Sequence, residues 1–257
     1  MGKLRRYPAT ESWRHYTYTS PVVFTAASET TSPQLSLDGL SWFLCLALYA
    51  TFGGTFTTLL RKNSKSYMNN PVNNANLWGT RELPHWLPQP ILMPPSEAFY
   101  LDLVNGATAP NTIQLAFLGI RVYDRTAGES LLRRTADGRT LANPQEYYAY
   151  ATNKVLTASQ RTPVSFQTNA GGDFIARNLI ATSTGVFQTR ITDSGGDRGY
   201  WDDNLVNKAN LWGTASYPGE IHPARIKSNA TVTYDVKDTS VAGNTLQLVM
   251  EGYQEQG

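Results

Sequence analysis

Residues 70–80 read Asn-Pro-Val-Asn-Asn-Ala-Asn-Leu-Trp-Gly-Thr, and residues 204–214 read Asn-Leu-Val-Asn-Lys-Ala-Asn-Leu-Trp-Gly-Thr. Nine of eleven positions agree at an offset of 134, including Trp78/Trp212 and Gly79/Gly213. A repeat of this period sets the architecture before any secondary structure is assigned. The agreement runs outward in both directions. Tyr16 and Tyr18, then Val23 to Ala26, parallel Tyr148 and Tyr150, then Val155 to Ala158, at offset 132. Phe43 parallels Phe174, and Gly54 and Phe56 parallel Gly185 and Phe187, at offset 131. Downstream, Asn111, Thr112, Gln114, Leu115 and Gly119 parallel Asn244, Thr245, Gln247, Leu248 and Gly252 at offset 133. Small drifts of this kind are what loop insertions between fixed strands produce. The expected organisation is a basic arm over 1–15, one repeat over 16–123, a polar linker over 124–147 and a second repeat over 148–257.

Inside each repeat the apolar period is two. Gln34 to Leu37, Thr112 to Phe117, Val164 to Gln167 and Thr231 to Val236 alternate, and Gly, Asn, Asp and Pro clusters separate them. No stretch has a sustained helical period. The reading is all-β, with two tandem β-sandwich, jelly-roll-like domains that arose by internal duplication. The most apolar run, residues 40–52, and its counterpart at 173–182 read as buried strands. The first is shorter than the roughly twenty residues a bilayer helix needs, and it is wrongly placed for a signal peptide.

Charge and chemistry narrow the function classes. The formal net charge is only +2, without the basic excess of a nucleic-acid binder. The arm concentrates Lys3, Arg5, Arg6 and Arg14 against Glu11, a net of +3, and reads as either a solvated tail or a docking arm that orders on a partner surface. The single cysteine, Cys45, forbids an intrachain disulfide and reads as a buried thiol. No catalytic residues, metal ligands or cofactor motif are assigned: metalloprotease, hydrolase-elbow and phosphate-loop patterns are missing from the chain. His15, His85 and His222 read as surface or loop imidazoles. The aspartates at 193, 197, 202 and 203 read as a solvated hairpin tip without calcium spacing.

Two groups of residues remain. The shared motif reads as architecture: Trp78 and Trp212 anchor cores, Gly79 and Gly213 permit a special backbone angle, and Asn76 and Asn210 support turns. The segment 83–95, LPHWLPQPILMPP, has no such density of prolines in the second repeat. Its prolines predict an extended, irregular loop. Its apolar members, Trp86, Leu87, Ile91, Leu92 and Met93, are expected either to fold back over the sandwich or, with Arg5 and Arg6, to contact another subunit or a capsid.

Phe24 to Ser28, a Gly-x-Phe strand at 54–56, Asn76 to Gly79, a proline-rich approach to 93–95 and a closing strand over Gln114 to Gly119 together resemble small β-sandwich structural proteins of tailed-bacteriophage virions. The resemblance implies a non-enzymatic part of the particle, made in the host cytoplasm: a decoration or cement protein on the shell, or a collar protein at the neck. It implies contacts with copies of itself and with other virion proteins, such as a major capsid or portal protein, and none with nucleic acid or membrane. The competing expectation is a carbohydrate- or receptor-binding module of a tail fibre, which would display Tyr147, Tyr148, Tyr200 or Trp201 on open loops. A glycan hydrolase would require carboxylates converging in one cleft.

Overall fold

The computed structural model describes residues 13–123, 145–194 and 204–255. Residues 1–12 of the basic arm, with Arg5 and Arg6, and most of the expected linker lie outside them; residues 13–15, expected in the arm, belong instead to the first strand. In the first repeat the chain runs β1 (Trp13–Phe24), β2 (Thr30–Thr31), β3 (Gln34–Ser36), β4 (Trp42–Phe52), β5 (Phe56–Lys62), β6 (Lys65–Ser66) and β7 (Val72–Asn73). A single helical turn, α1 (Asn74–Leu77), leads to β8 (His85–Met93), β9 (Ala98–Asn105) and β10 (Asn111–Val122). The second repeat runs β11 (Gln145–Leu156), β12 (Arg161–Gln167), β13 (Phe174–Ser183), β14 (Phe187–Asp193) and β15 (Val206–Asn207). It ends with the turn α2 (Lys208–Leu211), β16 (Gly219–Ile226), β17 (Thr231–Asp238) and β18 (Asn244–Glu255).

The two halves share one topology. The first repeat has a sheet ordered β1-β10-β4-β8, and the second a sheet ordered β11-β18-β13-β16. The opposing sheets place β9 between β2/β3 and β5, and β17 between β12 and β14. Facing antiparallel sheets in this order, four strands against six in the first repeat and four against four in the second, are a jelly roll, so the chain is two jelly rolls in tandem. Even the irregularities recur. The ladder skips Leu46 opposite Leu118 and Gly119, and Arg177 opposite Glu251 and Gly252. At that bulge a Cβ on Gly119 would lie 2.2 Å from the Leu44 carbonyl oxygen, and one on Gly252 would lie 1.9 Å from that of Ile175. Only glycine lets the strands approach so closely.

Alternation decides what each sheet buries. Phe43, Phe56, Trp78, Phe99 and Phe117 fill the first interior, with Phe99 stacked on Phe117 at 4.8 Å and Trp78 edge-on to it at 5.5 Å. Tyr150, Phe166, Phe174, Trp212 and Tyr234 fill the second. The two interiors are not sealed from each other. The first cluster also includes Tyr147, Ala149, Ala151, Ile180 and Val249, from the outer face of the second repeat's sheet.

The proline-rich segment departs from its sequence expectation. Residues 85–93 form a regular strand on the edge of the sheet, paired with β4 from Phe43↔Met93 to Cys45↔Ile91 and again from Ala47↔Trp86 to Leu48↔His85. Pro88 and Pro90 fall in the gap between these two stretches, where the register shifts, so the missing N–H groups cost no ladder bond. Strand alternation then turns Leu87, Ile91 and Met93 inward, each at most 7% exposed. These three therefore pack in the chain's own core instead of presenting a contact face. Trp86, 44% exposed, and the half-buried Leu92 point outward.

Candidate functional site at the seam between the repeats

The Asn-Leu-Trp-Gly motif closes a one-turn tip on each repeat. Trp78 is the root of the first tip: its indole N–H donates to the Thr58 hydroxyl at 3.0 Å inside the core. Trp212 makes the same bond to Thr189 at 2.8 Å. Gly79 and Gly213 owe their place to crowding, not to the special backbone angle that the sequence suggested. A Cβ on Gly79 would sit 2.3 Å from the Leu83 carbonyl oxygen, and one on Gly213 would sit 2.1 Å from that of Tyr217. The glycines also pair with their own sheets. The Gly79 carbonyl accepts from Ala50 N–H, and the Gly213 carbonyl from Ala181 N–H, both at 3.1 Å. The tips have nearly the same entry geometry, with Asn73 at φ −60°, ψ 144° and Asn207 at φ −61°, ψ 142°.

What differs is what the tips touch. The first rests on the outer face of the second repeat's β11-β18-β13 sheet. Asn76, fully buried, donates from Nδ2 to the Thr182 hydroxyl at 3.1 Å and to Gln247 Oε1 at 3.0 Å. The Asn73 backbone N–H donates to the same Gln247 oxygen at 2.7 Å. Gln247 Nε2 in turn donates to the Pro71 carbonyl at 3.1 Å. Asn76 is thus a bridge between repeats and not a support for its own turn, whereas Asn210 is exposed. Nearby, residues 67–70 follow the open edge of β11. Ala149 N–H donates to the Tyr67 carbonyl at 2.9 Å, and Asn70 Nδ2 to the Ala151 carbonyl at 2.9 Å.

An ionic group closes the seam. His85 is wholly buried, against its reading as a surface or loop imidazole. Its Nε2 lies 2.9 Å from Glu251 Oε1, and its Nδ1 lies 2.8 Å from the Ala215 carbonyl oxygen. Both ring nitrogens therefore face acceptors, which suits the imidazolium, since only that form has two N–H donors. Burial alone disfavours the charged ring. The Glu251 carboxylate, its hydrogen bond and the Ala215 carbonyl outweigh burial and raise the His85 pKa above the ordinary histidine value. Glu251 also accepts from the Tyr147 hydroxyl at 2.9 Å and from Asn178 Nδ2 at 3.4 Å. Burial, with the Glu251 charge beside it, pushes the Tyr147 phenol well above its usual range. The set joins β8 of one repeat to β11, β13 and β18 of the other.

Other sequence-based candidates fall elsewhere. Tyr147 and Tyr148 are buried, at 0% and 8% exposure, so neither is an open stacking platform. Tyr200, Trp201, Asp197, Asp202 and Asp203 lie outside the described residues. A cleft of about 540 Å³ opens beside the seam, between Asn73 and residues 153–155, 182–184 and 245–247. Lys154 is the only titratable side chain in its lining. Among the described residues no three His, Cys, Asp or Glu side chains gather where they could hold a metal ion. The sequence reading misplaced His85 and did not single out Glu251, Thr182 or Gln247 as site residues. One signal was present: His85 stands where the second repeat has Gly219, and such a difference between copies marks a specialised position.

No protein-family model matches the chain, and no curated protein matches it in sequence. Among solved structures it is similar to the major capsid protein P2 of bacteriophage PM2, at 10% identity, covering 95% of this chain and 98% of that one with a TM-score of 0.45. It is also similar to the STIV MCP, at 12% identity, covering 93% and 97% of the two chains with a TM-score of 0.41.

Proposed function

We propose that this chain is a non-enzymatic structural subunit of a virus particle, set in or on the shell. The observation that carries the reading is the seam. A tandem pair of jelly rolls is fused through a shared core and a fully buried His–Glu pair, which makes the molecule one rigid block and not two modules on a tether. A block whose halves share a fold offers neighbours two related sets of surfaces, which suits repeated lateral packing. As decoration or wall of the shell, or as a collar at the neck, it would act by mass action, burying surface only in the assembled state. The basic arm with Arg5 and Arg6, and the outward Trp86 and Leu92 on β8, are the contacts proposed toward other virion proteins.

The test is electron microscopy of the purified chain across a concentration series, with and without pelleted particles from a producing culture. Ordered arrays, closed shells, or density for this double block on the particle surface would support the role. A chain that neither self-assembles nor occurs in the particles would overturn it.

A further inference from the structure

We infer that the contact made between the repeats within one chain is made again between chains, with the second repeat's tip seated on the first repeat's outer sheet face in a second copy of this protein. The intrachain contact is head-to-tail: tip of repeat one on face of repeat two. Each molecule therefore retains one tip and one face of the same kind. The tip keeps its reading groups, because Asn207 and Asn210 stand at the positions of Asn73 and Asn76, and both are exposed. The face keeps its receiving groups as well. Thr182 and Gln247 are cross-strand partners on β13 and β18, and their counterparts Thr51 and Gln114 are cross-strand partners on β4 and β10, both exposed.

Turn propensity alone would select the tip asparagines, but it places no demand on Thr51 and Gln114, which lie on another part of the fold. The same four side chains, two Asn, one Thr and one Gln, are kept at both ends of a contact that is closed inside the chain and open outside it. Seated as in the intrachain seam, Asn210 Nδ2 of one copy would donate to Thr51 and Gln114 of the next. The ionic group is not duplicated: Gly219, Leu118 and Ala47 stand where His85, Glu251 and Asn178 stand. The contact between chains thus lacks the buried ion pair that locks the seam, and it forms reversibly. This inference requires only the intrachain geometry and holds whether or not the protein belongs to a particle.

The experiment uses the full chain with Gln114→Arg, which blocks the face, and with Asn210→Arg, which blocks the tip. Both sites are solvent-exposed, and unchanged circular dichroism and melting would verify the fold. Light scattering on a sizing column is expected to show a wild-type mass that rises with concentration and two monomeric variants. An equimolar mixture of the variants has one intact tip and one intact face, and is expected to stop at a 1:1 pair. Wild-type protein monomeric to its solubility limit, a variant that associates as wild type does, or a mixture that stays monomeric would each overturn the inference. Such a failure with shell assembly intact would remove this contact and leave the proposed role standing.

Discussion

At the scale of single residues, the buried polar groups make the sharpest claims. His85 has a folded pKa above its ordinary value, so its protonation favours the folded chain. That stabilisation is complete below about 6.5, the unfolded imidazole range, and drains away as the pH rises through the higher folded value. Urea unfolding of wild type and His85→Gln should differ most on the acidic side, by about 3–5 kcal/mol for a broken buried pair. The gap should narrow as the pH climbs, and a gap independent of pH would refute the assignment. Thr58 poses a separate case, since Thr58→Val strands the Trp78 indole N–H in the core. A loss of about 1–3 kcal/mol is expected in the same assay. Cys45 is fully buried, and burial pushes its thiol far up. Maleimide should label it only after denaturant is added, so rapid labelling of native protein would contradict the packing of β4.

At the scale of elements, β8 shows what a sequence reveals and what it hides. The strands β4, β10, β13 and β17 were legible because long apolar runs or clean alternation leave one solution. The segment 85–93 was not, because its prolines signal a loop to any reading that ignores neighbours. Its alternation, His85, Leu87, Gln89, Ile91 and Met93 inward, was present but crossed by those prolines. An edge position resolves the conflict, and edge positions are set by tertiary pairing, which local sequence does not carry. Truncation should separate the two faces of the strand. Met93→Ala and Ile91→Ala open cavities in the core and should each cost about 2–5 kcal/mol. Trp86→Ala and Leu92→Ala, on the outward face, should cost distinctly less. Equal losses on both faces in chemical denaturation would argue against the assigned register.

At the scale of the whole molecule, the duplication was legible and the seam was not. Repeated Trp and Gly positions announce two similar folds, but nothing in Asn76 or Gln247 taken alone says that they meet across 171 residues of chain. The duplication even misleads, because equal motifs suggest equal roles, while Asn76 is buried in a junction and Asn210 is exposed. The shared core makes a claim about cooperativity. Tyr147, Ala149, Ala151, Ile180 and Val249 pack with the first repeat's cluster, so neither half can unfold without stripping apolar cover from the other. The wild-type chain should therefore melt in one transition, with calorimetric and van't Hoff enthalpies equal. Ala149→Asp places a second carboxylate at a fully buried position of that contact, directly across the strand pair from Glu251. It should uncouple the halves and split the calorimetric trace into two peaks, with both jelly rolls still folded at low temperature. Two peaks already in the wild type, or one undivided peak in a folded Ala149→Asp variant, would mean that the repeats do not depend on each other, and the rigid block proposed for assembly would be lost with that dependence.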